Sequence, residues 1–385
     1  MKKNITSSKV GILFDSYYKN TGDSAMGIVM KDILESNGIK YVKINPFDEN
    51  KKSFDLIITG GGQIIRNPGN FYYDNFRVWG THILNAVEVT NFDDLRFLEE
   101  YKYVTVRTSE SAKKLNNIGI KAVCVPDICI AMKNKGTGIK IPENSIGVHL
   151  MPLVGQDNFR QHVSFVKTMI KQSKVVLIPV THYAKDYAYL KRIHKLLPET
   201  ILLEEHNPQI IFDTIGSLKM LVSMSLHAAI FAYTQRVNFI VWDEPLNRKM
   251  YEFFKDRKLE KRLFTNTSSM MTKAKYFIAH NGIGYDDQLK KDKVQLKKHF
   301  DKIIDLIKKT KPNPTEKKIY GYLSKLESEK NNMIISANQQ DNKLLIANNN
   351  IRILKKELNN IKSTKSWLLI EKLNKYRYRV VKYKD

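Results

Sequence analysis

Cysteine is nearly missing from this sequence: Cys124 and Cys129 are the only two in 385 residues. A disulfide scaffold is therefore excluded, and the run Cys124-Val-Pro-Asp-Ile-Cys129 does not have zinc-ligand spacing. Both cysteines read as reduced core residues of a cytoplasmic protein. Also missing is any apolar run near the ~18 to 20 residues that a membrane span requires. The opening Met1-Lys-Lys-Asn-Ile-Thr-Ser-Ser8 leads into a short strand and not into the apolar stretch of a signal peptide. Acidic residues are scarce beside basic ones, 39 against 64, which leaves a net charge of +25. Such an excess favours anionic partners. The arginine and aromatic interleaving of a nucleic-acid platform is absent, so no nucleic-acid partner is expected.

Apolar residues make up 42% of the chain and aromatics 10%, enough for packed cores. The length exceeds what one core usually holds, and two core domains with an appendage are expected. Continuous apolar runs at 9–14, 41–45, 54–59, 104–106 and 122–125 read as buried parallel strands, with a helix from Asp23 to Gly38 between the first two. A second set follows: strands at 146–150, 175–179, 200–203 and 239–242, and helices at 158–172, 185–197 and 211–221. A strand-to-helix junction spans 223–233. The reading is an α/β chain with an N-terminal Rossmann-like domain over 1–130, a linker over 131–144, and a C-terminal Rossmann-like domain over 145–310 closed by an amphipathic helix.

Beyond Pro314 the period changes. Positions 319, 323, 326, 330, 333, 337, 340, 344, 347, 351, 354, 358 and 361 keep an unbroken 4-3 spacing, and only Lys330 and Gln340 among them are polar. The pattern predicts a C-terminal α-helical coiled coil over 315–362 and a homo-oligomer joined through 319–361; one long helix folded back on the core is the alternative. Residues 311–385 supply +10 of the net charge, with 17 basic side chains against 7 acidic. Within them, 363–385 form a basic amphipathic tail suited to an anionic membrane surface, such as the inner face of the plasma membrane, and equally to a solvated end.

In open α/β sheets ligands collect at the carboxyl ends of strands. Those ends offer Asn20, Gly22 and Asp23, then Gly60, Gly61 and Gly62, then Arg107; the second domain offers His149, His182, Ser225 and His227. Asp23 also suits a helix cap, and three glycines also suit a tight turn. His227 stands at the start of the apolar helix Ala228-Ala-Ile-Phe-Ala232, where an imidazole can deliver a proton beside free backbone amides. The spacing shows no metal-ligand cluster, so no metal and no cofactor are expected.

Taken together, five elements resemble the polysaccharide pyruvyl transferase family. They are Asn20-Thr-Gly-Asp23, Asp55-Leu-Ile-Ile-Thr-Gly-Gly-Gly62, Val106-Arg107 with Ser111 and Leu115, Pro126-Asp127, and Ser225-Leu-His227 with Ile230-Phe-Ala232 behind it. The resemblance implies a GT-B-like arrangement of two domains and phosphoenolpyruvate as co-substrate. It also implies an acceptor sugar on a cell-surface glycan or its lipid-linked precursor. Ketal formation from an enol phosphate needs an acid and a proton acceptor, and His227 and Asp23 are the candidates for these roles. Many members carry an arginine where this chain has Ser225, which sends the donor phosphate to Arg107, Arg248 or Lys249. A GT-B-type nucleotide-sugar glycosyltransferase and a non-catalytic assembly scaffold are the competing readings.

Overall fold

The computed structural model describes residues 9–15, 20–47, 51, 53–152, 158–243, 248–280, 284–312 and 314–362. These residues form two six-stranded sheets whose pairings are all parallel. The first holds β1 (Val10–Phe14), β2 (Val42–Lys43), β3 (Leu56–Gly60), β4 (Ile83–Val87), β5 (Tyr103–Val106) and β6 (Ala122–Cys124), in the order β2-β1-β3-β4-β5-β6. The second holds β7 (Ile146–His149), β8 (Val175–Leu177), β9 (Ile201–Leu202), β10 (Met220–Ser223), β11 (Asn238–Trp242) and β12 (Leu263–Phe264), in the order β12-β11-β10-β7-β8-β9. The central strands β1, β3, β10 and β11 are buried along their whole length, which is why their sequences are continuous apolar runs and do not alternate. The α/β architecture with two parallel sheets agrees with the sequence reading.

The structure differs from that reading at β4 and at 211–221, and it adds helices at Lys249–Lys255 and Thr267–Ala279 and the strand β12, where no element was expected. β4, Ile-Leu-Asn-Ala-Val, was not expected; Asn85 breaks its apolar run, and the partner that makes this amide tolerable comes from more than 200 residues away. The stretch 211–221 is not one helix. Helix α5 (Pro208–Gly216) ends at its glycine, and the apolar residues that follow enter β10.

The remaining helices are α1 (Thr21–Ser36), α2 (Ser109–Asn117), α3 (Phe159–Ile170), α4 (Asp186–Leu196), α6 (Leu226–Thr234), α7 (Lys249–Lys255), α8 (Thr267–Ala279), α9 (Asp286–Lys309) and α10 (Pro314–Lys362). α9 follows the second sheet in sequence yet docks on the first. Its buried His299 places Nε2 2.8 Å from Asn85 Oδ1 and Nδ1 3.2 Å from the Tyr103 hydroxyl. The chain divides into a unit reaching Leu326, which holds both sheets, and a unit from Glu327 onward that continues α10. The basic tail 363–385 lies outside the described residues, and none of the described helices is long and apolar enough to cross a membrane.

Candidate functional site

Register sets the site. Phe14 pairs with Gly60 at the ends of β1 and β3, so the loops leaving both strands emerge side by side. α1 begins there. Asn20, in extended conformation, caps it by accepting the Gly22 N–H at 3.1 Å, and its amide donates to Asp23 Oδ2. The cap is thus Asn20, which leaves the Asp23 carboxylate in the first helical turn without a capping duty. The same turn is fastened to the second half of the molecule: Thr21 N–H donates to Val180 O at 3.3 Å, and Asn20 bridges Thr181.

Across from it, Ser225 caps α6, its hydroxyl accepting the Ala228 N–H at 3.5 Å. Every residue of α6 is buried, so small side chains are needed for the helix to lie this deep. His227 projects from its first turn onto the start of α1. A methyl group at position 22 would sit 1.9 Å from His227 Nδ1, and one at position 62 would sit 2.5 Å from Asp23 Oδ1. Gly22 is therefore required by the close approach of the imidazole, and Gly62 lies against the end of the Asp23 carboxylate. Between the two halves lies a cavity of about 400 Å³, walled by Asn20, Asp23 and Gly62 on one side and Ser225, His227 and Lys249 on the other.

His227 Nε2 stands 3.6 Å from Asp127 Oδ2 and 4.0 Å from Asp23 Oδ1. It is buried and makes no hydrogen bond among the described residues, and the same holds for Asp23 Oδ1. Asp127 is held on its other side: Oδ1 accepts the Cys129 N–H at 3.0 Å and Oδ2 accepts from Arg107 Nη1 at 3.1 Å. Arg107 Nε in turn donates to Glu88 at 3.3 Å. Burial disfavours the Asp127 charge, but His227 and Arg107 overcome it and hold the carboxyl well below the usual carboxylate range. Asp23 goes the other way. Burial raises its pKa, and the opposing pull of His227, Arg107 and Lys249 does not cancel this. The two carboxylates flanking one imidazole thus differ in kind: a fixed anion and a ready proton acceptor.

Asp127, Cys129 and His227 place ligand-type atoms within 4.8 Å of one another, a grouping that the sequence spacing did not show. Its chemistry fits a proton better than a cation. The Arg107 guanidinium already engages Asp127, and burial together with Asp127 keeps the Cys129 thiol protonated far above its ordinary range.

The structure brings Asn20, Asp23, Gly62, Arg107, Ser225, His227 and Lys249 to this cavity, with Gly22 beneath the imidazole. Gly60 and Gly61 shape the exit of β3 behind them. Three expected residues stand elsewhere. His149 is fully buried, with Nδ1 accepting the Met224 N–H and Nε2 3.1 Å from Asp186. Both ring nitrogens are consumed by the fold, so it is no substrate ligand. His182 packs edge-on against His206 at 4.2 Å between ring centroids and lies outside the cavity wall. Arg248 is exposed, stacked on Tyr251 and 3.7 Å from Glu252. Sequence reasoning missed Arg66, which lines the cavity with its guanidinium 4.0 Å over the Tyr73 ring. It sits four residues past Gly62 in the same carboxyl-end loop, and that position was the available signal.

Two parallel sheets with a cleft at their carboxyl ends define a GT-B-like class of protein. A protein of Listeria monocytogenes provisionally described as a UDP-N-acetylglucosamine 2-epimerase shares the fold at 11% identity and a TM-score of 0.50. The match covers 77% of this chain and 98% of that one. A UDP-GlcNAc 2-epimerase from Neisseria meningitidis bound to UDP-GlcNAc aligns at 10% identity and a TM-score of 0.49, over 71% of this chain and 92% of that one. No curated protein matches the sequence. The family model for polysaccharide pyruvyl transferase matches residues 20–243, and the chain belongs to that family.

Proposed function

We propose that the chain transfers the enolpyruvyl carbons of phosphoenolpyruvate onto two hydroxyls of a sugar, forming a pyruvate ketal on a cell-surface polysaccharide or its lipid-linked precursor. The observation that carries this reading is the His227 Nε2 atom, buried beside the cavity without a hydrogen bond and flanked by two unlike carboxylates. Ketal formation from an enol phosphate begins with a proton delivered to the methylene carbon, and His227 is the donor. One acceptor hydroxyl then adds to the oxocarbenium-like carbon, and Asp23 takes its proton. At 4.0 Å from Nε2, Asp23 is placed to return that proton to the imidazole. The second hydroxyl displaces phosphate, its proton leaving with the phosphate, so the C=C π bond and the C–O bond to phosphate are exchanged for one C–H bond and two C–O bonds to the sugar. Lys249 and Arg66, both on the cavity wall, stabilise the departing phosphate. Arg107 is engaged by Asp127 and Glu88 and serves to fix Asp127. The donor is a cytoplasmic metabolite, which places the reaction in the cytoplasm, with the basic tail as a candidate contact to the inner membrane face.

Calorimetry with phosphoenolpyruvate and with a panel of nucleotide sugars tests the donor. Binding of phosphoenolpyruvate alone is expected; binding of a nucleotide sugar alone would move the reading to a glycosyltransferase. Mass spectrometry of the surface polysaccharide from cells without the gene tests the product, and the expected result is loss of the pyruvate ketal.

A further inference from the structure

α10 runs unbroken over 49 residues, about 73 Å at ~1.5 Å per residue. A helix of that length in water draws its stability from burying an apolar stripe, and propensity alone does not supply it. The stripe is open at four of its described positions. Ile319, Leu326, Met333 and Leu354, which share one heptad position, expose 55%, 43%, 69% and 62% of their surface. We infer that this stripe joins two copies of the chain as a parallel, in-register coiled coil.

The partner is read from the stripe itself. From 319 to 361 the seam is about 63 Å long and about 10 Å wide, which covers roughly 600 Å² on each helix. The total of about 1,200 Å² falls at the lower end of the range of stable, specific interfaces. Direction follows from Gln340. Parallel and in register, it meets its counterpart in the second copy, and the two amides hydrogen-bond to each other. Antiparallel pairing about the same seam sets Gln340 in an apolar layer, where its amide loses its partner. Lys330 carries its own neutralising group: both Glu327 carboxylate oxygens lie 2.9 Å from its ammonium and draw it to the edge of the seam. The Lys330 side chain keeps 34% of its surface exposed; two strands preserve that exposure, whereas three or four would enclose the charge, so the number of copies is two.

Light scattering on the full chain tests this directly. Twice the 44.7 kDa chain mass is expected, and a mass of one, three or four chains overturns the proposal. Leu354→Cys under mild oxidation should give a disulfide-linked dimer, while Lys356→Cys on the outer side of the helix, and the unaltered chain, should give none. A dimer without the Leu354→Cys cross-link overturns the parallel register. Met333→Glu combined with Leu354→Glu should yield a monomer with the thermal transition of the two-sheet unit unchanged. A dimer that survives both charges places the contact elsewhere on the chain.

Discussion

Asp127→Asn, alone and combined with His227→Ala, is the sharpest probe of the site. The substitution keeps the acceptor for the Cys129 N–H and removes both the charge 3.6 Å from His227 Nε2 and the acceptor for Arg107 Nη1. At an effective dielectric of ~20 a full charge pair at that distance is worth about 4 to 5 kcal/mol, an upper bound. About 2.7 kcal/mol of it is enough to slow turnover ~100-fold. Arg107 keeps Glu88 at 3.3 Å, so the fold loses about 3 kcal/mol, the low end for a broken buried pair. Acceptor-dependent phosphate release from phosphoenolpyruvate is the assay. His227→Ala is expected to fall by about 10²- to 10⁴-fold through loss of acid catalysis. Because Asp127 acts through the imidazole, the double variant should be no slower than His227→Ala. If Asp127→Asn stays within about threefold of the unaltered chain, or if the two losses multiply, the reasoning fails.

Gly22→Ala forces a methyl into the His227 ring and should cost about 1 to 3 kcal/mol together with most of the activity, read as a lowered melting temperature and slower turnover. Lys249→Ala should weaken phosphoenolpyruvate binding by about 1.5 to 3 kcal/mol in calorimetry while leaving the melting temperature in place. Burial lowers the pKa of His82 and His162 to about 4 and of His299 to about 3, so the folded chain resists protons that the unfolded chain accepts below about 6.5. Stability is therefore whole above that pH and falls as the pH drops toward 4, by on the order of 2 kcal/mol per histidine at pH 5. A urea midpoint that is equal at pH 7.5 and pH 5 would contradict this.

The strands were legible wherever both faces are covered, because β1, β3, β7 and β11 then write themselves as unbroken apolar runs. β4 was not legible. Its Asn85 makes sense only once His299 arrives from α9, a long-range pairing that no local window contains. The misreading of 211–221 has a different origin, since an apolar run that crosses from helix to strand keeps no period to separate the two. At the site, His227, Arg107 and Asp23 were visible as chemistry-bearing residues at strand ends. The Pro126-Asp127 pair was visible only as a motif; that Asp127 lies between Arg107 and His227 depends on how the turn at 128–131 packs against α6. His149 misled for the opposite reason: its position at a strand end is real, but Asp186 and the Met224 amide claim both nitrogens.

The start of α1 is pinned to the second sheet through Thr21 and Asn20, and α9 is pinned to the first through His299. Each half thus reaches over and grips the other, like two hands clasped at both wrists. A molecule fastened twice is expected to resist opening like a book, which would make its cleft a standing slot. Donor binding should then carry a small ordering cost and a modest heat-capacity change, set by the area of the ligand and not by the closing of two domains.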